Sequence, residues 1–354
     1  MARVEQLHSR ELSGRDGLTM TLADVRALLT LDLQGVDQII RVRLKSVVPL
    51  IDQVAEHIIG GGGKRLRPML VLLAGRAVTA PNETNARRRW NDSTATLVSE
   101  AAAFIEFIHT ATLLHDDVVD GSSKRRGRDT ANHVFGNQAS VLVGDFVYSR
   151  AFQMMAAIGV QRVMEIMADA TNTIAEGEVL QLMNARDPST TEQRYLEVIY
   201  RKTAKLFEAG AEVAAVLAGG NAGEQAALAS YGKHLGNAYQ LIDDVLDYQS
   251  NPVERGKNLG DDLAEGKPTL PLIHALKKGT DAQRALIRQA IEHGGLDRLD
   301  DIVQAIEATG GLDYTANAAQ AESRMAIDAL TALADSPHKQ GLIALARIAV
   351  DRSS

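Results

Sequence analysis

The chain contains no cysteine, which excludes disulfides, thiolate metal ligands and thiol nucleophiles and fits a reducing compartment. It has no run of about 18 consecutive apolar residues, and its first residues, with Glu5, Arg10, Glu11 and Arg15, lack the apolar core of a secretory signal. A soluble protein is therefore expected. An excess of positive charge is missing too. The formal net charge is -7 and the basic residues form no long positive stretch, which argues against nucleic acid as a partner. Pro/Gly/Ser-rich linkers are absent from the middle of the chain, so 354 residues with 45% hydrophobic content read as one large domain over 21–354, preceded by a loose tail over 1–20.

Aromatic residues are scarce, at 4%, and alternating strand patterns are few. What recurs instead is the helical period. Leu28, Leu29, Leu33, Val36, Ile40 and Leu44 mark one amphipathic helix, and Leu50, Ile51, Val54 and Ile58 a second beyond Pro49. Further helical patterns cover roughly 66–77, 95–117, 138–157, 160–184, 191–217, 223–250, 268–277 and 282–350. Breaks fall at Gly60–Gly63, Pro81–Ser93, Gly121–Thr130, Asp187–Thr191 and Pro252–Pro268. The expected fold class is all-α, a helical bundle.

Two copies of one acidic pattern stand out: Asp116-Asp117-Val118-Val119-Asp120 and Asp243-Asp244-Val245-Leu246-Asp247. Each follows an apolar segment, so each is expected on a helix whose neighbouring turns are buried. The first and last aspartates of a copy lie four apart and share a helix face. Like charges at that spacing oppose each other by ~0.2–0.5 kcal/mol even when exposed, and more as water is withdrawn. One copy is as readily a solvated acidic face as a site. Two in matched settings point to cations between them, and clustered carboxylate oxygens without thiolates or paired histidines suit Mg2+, which also bridges to phosphate oxygens.

The basic counterpart is Gly60-Gly61-Gly62-Gly63-Lys64-Arg65-Leu66-Arg67-Pro68, where a chain able to approach a ligand closely meets three cations. It is not a nucleotide-binding P-loop, because no Ser or Thr follows the lysine and no strand precedes the glycines. Lys124-Arg125-Arg126-Gly127-Arg128 follows the first acidic copy, and Lys257 follows the second. Guanidinium forks match phosphate oxygens in two-point contacts. His109, on the same apolar helix as Asp116, is by itself better explained as a satisfied core residue than as a ligand contact. Two acidic clusters with three basic groups imply two diphosphates, one held through metals and the other by side-chain cations.

With these residues in view, the sequence resembles the trans-isoprenyl diphosphate synthases, and within them the long-chain bacterial branch that makes quinone side chains. The resemblance runs from about Leu28 to Asp351 and is densest at Gly62–Pro68, Glu106–Asp120, Asn137–Met155, Ile174–Asn184, Tyr239–Tyr248 and Gly256–Pro271. It implies a single-domain isoprenoid-synthase-type bundle with a deep central cavity, a homodimer, and repeated condensation of isopentenyl diphosphate onto an allylic diphosphate, with farnesyl diphosphate the expected primer. Asp116, Asp117, Asp120, Asp243, Asp244, Asp247, Lys202 and Lys257 are the implied catalytic set, with several Mg2+ ions on Asp116, Asp120 and Asp243. Arg125, Thr203 and Gln240 are implied beside the allylic diphosphate, and Lys64, Arg67, His109 and Arg126 beside isopentenyl diphosphate. Small residues at Ala111 and Thr112, where short-chain relatives carry rings, imply an open path for a product of eight to ten units.

Competing readings leave other traces. A terpene cyclase would need neither Gly62–Pro68 nor a second full acidic copy. A non-catalytic partner subunit would have one copy eroded, and turnover by the purified chain alone separates it. A di-iron bundle would need Glu-x-x-His pairs on two facing helices, and of the chain's two, Glu5 to His8 and Glu106 to His109, the first lies in the expected tail. The expected location is cytoplasmic, with transient membrane contact as product leaves. No role attaches to the tail or to the Ala80–Ser93 loop, which contains Arg87-Arg88-Arg89-Trp90.

Overall fold

Alanine-rich amphipathic segments with few β-branched runs leave helix packing as the way to bury apolar surface, and the computed structural model of the protein is helical almost throughout. It describes residues 20–60, 64–80, 90–125, 127–249 and 260–352. The expected tail, Gly61–Gly63, Arg87-Arg88-Arg89, Arg126 and Lys257 lie outside the described residues.

Helices α1 (Leu22–Leu28), α2 (Thr30–Arg43), α3 (Pro49–Gly60) and α4 (Leu66–Val78) lead into the long α5 (Asp92–Val119). A short ribbon, β1 (Lys124–Arg125) antiparallel to β2 (Arg128–Asp129), and α6 (Ala131–Phe135) connect it to α7 (Asn137–Ile158) and α8 (Gln161–Asn184). Next, α9 (Glu192–Ile199) runs through a π turn (Tyr200–Ala204) into α10 (Lys205–Leu217). The described chain is completed by α11 (Ala222–Gln249), α12 (Asp261–Ala264), α13 (Leu270–Lys278), α14 (Asp281–His293), α15 (Leu299–Ala308), α16 (Gly311–Ala329) and α17 (Pro337–Val350).

The core is continuous from Val25 to Ala349, and two smaller clusters sit under the C-terminal helices. Helix α4 is buried nearly all round, from Pro68 to Gly75 and at Ala77 and Val78, as expected of a helix apolar on every face. Helix α5 is long and apolar enough to cross a membrane, but 61% of its apolar window is buried inside the fold, so that apolarity serves the core. Arg76, the one charge in α4's last turn, is held by Asp32 at 2.7 and 3.0 Å and lies 4.3 Å over the ring of Trp90. This stack ties the entry of α5 to α2 and α4.

Three local features depart from the sequence reading. The single amphipathic helix from Leu28 to Leu44 starts afresh at Thr30, because Leu29, with φ -108° and ψ 14°, interrupts it. The Gly121–Thr130 break is a ribbon, turned at Gly127 with φ +73°, where glycine alone adopts the left-handed region without strain. The 191–217 pattern is interrupted by the π turn, since apolar periodicity says nothing of one extra residue in a turn.

Helix α5 carries the first acidic copy at its far end and is capped by Asn91, whose side chain accepts a hydrogen bond from Thr94 N at 2.9 Å. Removing that acceptor by Asn91→Ala should cost about 1 kcal/mol, seen as a lower urea midpoint at unchanged m-value. An unshifted midpoint would show that the cap carries no stability.

Candidate active site

Both acidic copies lie in the last turns of long helices, Asp116–Asp120 at the end of α5 and Asp243–Asp247 near the end of α11. The partial negative charge of the helix dipole gathers there, so the local backbone opposes these carboxylates rather than stabilising them. Compensation has to come from elsewhere in the fold. The two ends open on one cavity of about 720 Å³, whose wall includes Asp116, Asp120, Asp243 and Asp244 together with Lys64, Arg67, His109, Arg125, Lys202 and Lys267.

The carboxylates face cations drawn from distant elements. Lys202 Nζ is 3.5 Å from Asp116 and donates to Glu178 at 2.6 Å and to Gln181 at 2.7 Å. Lys267 Nζ reaches Asp120 at 3.1 Å and also pairs with Glu265. Arg352 Nη1 stands 3.7 Å from Asp243, with its guanidinium stacked 3.7 Å from the centre of the Tyr239 ring. Asp244, only 2% exposed, accepts from the Tyr195 hydroxyl at 2.5 Å and from Gln240 Nε2 at 2.8 Å, while Thr203 Oγ1 donates to Gln240 at 3.0 Å.

Burial sets the protonation of the inner groups. Burial first, then the charge of Asp262, pushes Asp244 up to about 8. Burial likewise raises Glu178 to about 7, with Lys202 pulling the other way and Asp116 and Asp120 adding to the rise. For Lys267, burial would depress the ammonium, but Asp262, Glu265 and Asp120 outweigh it and hold its proton firmly. Burial is thus the largest cause of the raised values of both carboxyls.

Among the described residues no three His, Asp or Glu side chains converge closely enough to hold a metal by themselves. Carboxylates on two facing walls supply part of an oxygen shell, which fits an ion that completes its coordination with water and a ligand's phosphate oxygens. The basic segment after the glycines borders the same cavity. Arg65 adopts a left-handed conformation, φ 51°, and pairs with Glu106 at 2.7 Å, while Lys64 and Arg67 on either side of it both line the cavity. The Arg67 guanidinium lies 4.4 Å over the Phe207 ring.

Most of the residues singled out from sequence meet here: Asp116, Asp120, Asp243, Asp244, Lys202, Lys64, Arg67, His109, Arg125, Thr203, Gln240 and Thr112 all line the cavity. Three do not. Asp117 is turned away and buried, accepting two bonds from Arg125 at 2.9 and 2.7 Å, because position 117 is a quarter-turn off the face shared by 116 and 120. Asp247 is enclosed as the chain at Gly260–Asp262 folds over the last turn of α11, with Asp262 N directed at its carboxylate at 3.3 Å. Ala111 is wholly buried in the core and the adjacent Thr112 takes the cavity-facing place.

Sequence reading missed Glu178, Gln181, Tyr195, Lys267 and Arg352. Tyr195 reads as one more apolar position of an amphipathic helix. Glu178 and Gln181, three apart on α8 and so on one face, carried the only usable signal, two polar residues on a side that faces other helices.

A family model described as polyprenyl synthetase matches residues 48–309. Octaprenyl diphosphate synthase of Escherichia coli is 52% identical over 94% of this chain and 99% of its own. Among solved structures, a polyprenyl synthase from Caulobacter crescentus, complexed with calcium and isoprenyl diphosphate, superposes with a TM-score of 0.87 at 39% identity, covering 96% of this chain and 100% of that one. A decaprenyl diphosphate synthase from Rhodobacter capsulatus gives 0.85 at 43% identity, over 94% and 100%.

The raised carboxyls make a measurable link to pH. Burial raises Asp244 from its ordinary 3.8 to about 8 in the folded chain, so over that interval the folded state keeps a proton that the unfolded state has released. The stability from that proton is complete below the lower value and is lost as pH rises through the upper one. In EDTA the melting temperature should therefore fall from about pH 6 to about pH 8.5, and Asp244→Asn should flatten that fall. A melting temperature that climbs with pH over this range would overturn the assignment.

Proposed function

The chain belongs to the polyprenyl synthetase family, and from that premise we propose that it condenses isopentenyl diphosphate repeatedly onto an allylic diphosphate primer, farnesyl diphosphate by preference. The product is a long all-trans polyprenyl diphosphate of eight to ten units for a quinone side chain. The observation that carries this reading is one cavity whose wall holds both acidic helix ends together with Lys64, Arg67 and His109. Two such sets of groups suit two diphosphates, the one to be cleaved and the one to be kept.

Cleaving the allylic carbon–oxygen bond develops charge on the leaving diphosphate, and preorganised cations stabilise it where water is excluded. Lys202, Lys267 and Arg125 bring that charge from the protein. Asp116, Asp120 and Asp243 would hold Mg2+, which supplies further positive charge to the diphosphate oxygens when bound. All the donors are oxygens, which is the preference of Mg2+ and of the calcium seen in the Caulobacter relative. Lys64, Arg67 and His109 hold isopentenyl diphosphate without metal, leaving its own carbon–oxygen bond intact. Leu113 and Thr112 line the wall along α5 where the carbocation must be kept from water. The double bond of isopentenyl diphosphate attacks that cation, and the proton then lost passes to the departed diphosphate.

Helix α7 supports a homodimer. It too is apolar enough to span a membrane, yet only 33% of its apolar window is buried within one chain, and Leu142 is 67% exposed. An exposed apolar face of this kind is suited to a second copy. The enzyme works in the cytoplasm, and its product, burying about 0.8 kcal/mol per methylene, leaves for the membrane.

Purified protein given labelled isopentenyl diphosphate, farnesyl diphosphate and Mg2+ should yield a product whose mass lies at eight to ten units, and no product from the isolated chain would refute the proposal. Asp116→Asn or Asp243→Asn should each lower kcat by at least ~10²-fold, the scale of losing one preorganised charge-stabilising group. Near-normal turnover in either variant at saturating Mg2+ would remove the metal assignment. Thr112→Phe should place a ring in the cavity and shorten the product, whereas unchanged product length would put the tail's path elsewhere. Leu142→Glu should convert a dimer to a monomer in light scattering, and an unaltered mass would move the interface off α7.

A further inference from the structure

Lys202 and Thr203 do not stand on an α-helix. Tyr200–Ala204 forms a π turn between α9 and α10, and a π turn takes up one residue more than an α turn. From Tyr195 to Thr203 is eight positions, which in an uninterrupted α-helix would leave their side chains about 80° apart. With one residue absorbed by the bulge they fall as residues seven apart do, on the same face. Both then reach α11: the Tyr195 hydroxyl meets Asp244 at 2.5 Å and the Thr203 hydroxyl meets Gln240 at 3.0 Å, with Gln240 closing on Asp244 at 2.8 Å.

The widened turn needs room on both flanks, and both flanking helices provide it with glycine. A Cβ at Gly177 of α8 would stand 2.7 Å from Lys202 N and 2.8 Å from Arg201 Cβ. One at Gly236 of α11 would stand 2.5 Å from Ala204 Cα and 2.8 Å from Ala204 Cβ. Each glycine lies inside a regular helix, where alanine is favoured by about 1 kcal/mol. Their own helices give no reason for glycine; the neighbouring turn does.

We infer that Gly177 and Gly236 are positioning residues that admit the π turn between α8 and α11, and so set Lys202 beside Asp116 of the first acidic cluster and Thr203 against the second, for an allylic diphosphate. The inference rests on the allylic-diphosphate reading of this cavity. Widening either contact by one methyl group displaces the turn, moving Lys202 from its place beside Asp116 and breaking the Thr203–Gln240–Asp244 link.

The test measures calorimetric binding of an inert farnesyl thiolodiphosphate with Mg2+, the two KM values, and the melting temperature. Gly177→Ala and Gly236→Ala should each weaken the analogue and raise the allylic KM at least about tenfold, the loss of roughly one charged contact, with the isopentenyl diphosphate KM within about twofold of wild type. Unchanged analogue binding in folded variants overturns the inference, as does an equal rise in both KM values with a lowered melting temperature. Tyr195→Phe and Thr203→Val leave the packing intact and test the same link even if the glycine variants do not fold. Their effects on analogue binding should be strongly non-additive, and additive effects overturn the inference. Wild-type protein that fails to bind the analogue would instead remove the reading of the cavity, and the inference with it.

Discussion

Everything at the cavity follows from carboxylates fixed where the backbone disfavours them. Two long helices end with their dipoles' negative poles converging, and each adds aspartates at that pole. Such an arrangement folds only if cations arrive from outside the two helices, and they do so from far along the chain: Lys202 after α9, Lys267 after α12, and Arg352 beyond α17. The burial of Asp244 and its raised ionisation are the remainder, a charge the protein declines to carry alone.

The same constraint gives the cavity two environments, the paired acidic helix ends and the Lys64–Arg67 segment. Arg67 leans on the Phe207 ring and Arg65 is drawn off to Glu106, so both guanidinium groups of this segment are held in fixed places. Phe207 and Tyr239, with ring centres 5.9 Å apart, stand between these two environments, each carrying a guanidinium on its face.

How much of this was legible in the sequence depended on whether a residue announced itself through period or repetition. The all-helical class and the limits of α4, α5, α7 and α8 follow from apolar spacing, and the duplicated aspartates and the Gly-Lys-Arg-Pro segment mark residues that meet at the cavity. Asp117 and Asp247 were harder, because repetition suggested equal roles and only three-dimensional facing separates a cavity aspartate from one that braces Arg125. Tyr195 and Lys267 were not legible at all. A tyrosine on an amphipathic helix and a lysine in a loop gain meaning only when Asp244 and Asp120 are found beside them. The π turn left no trace in apolar spacing, and its two flanking glycines resemble any others in a helix-rich chain.

The stack of Arg76 on Trp90 has an optical consequence. Trp90 is the chain's one tryptophan, and it lies at the entry of α5, pressed against Arg76 and beside Gly75, and is no part of the cavity wall. Its emission therefore reports on whether α2, α4 and the start of α5 stay packed, with the guanidinium on the indole face setting its local electric field. Intrinsic fluorescence excited at the indole band follows unfolding of that corner with no contribution from any other residue of its kind. It is correspondingly blind to direct contact with a ligand, so a change in indole emission on adding substrate would mean that the bundle itself had moved.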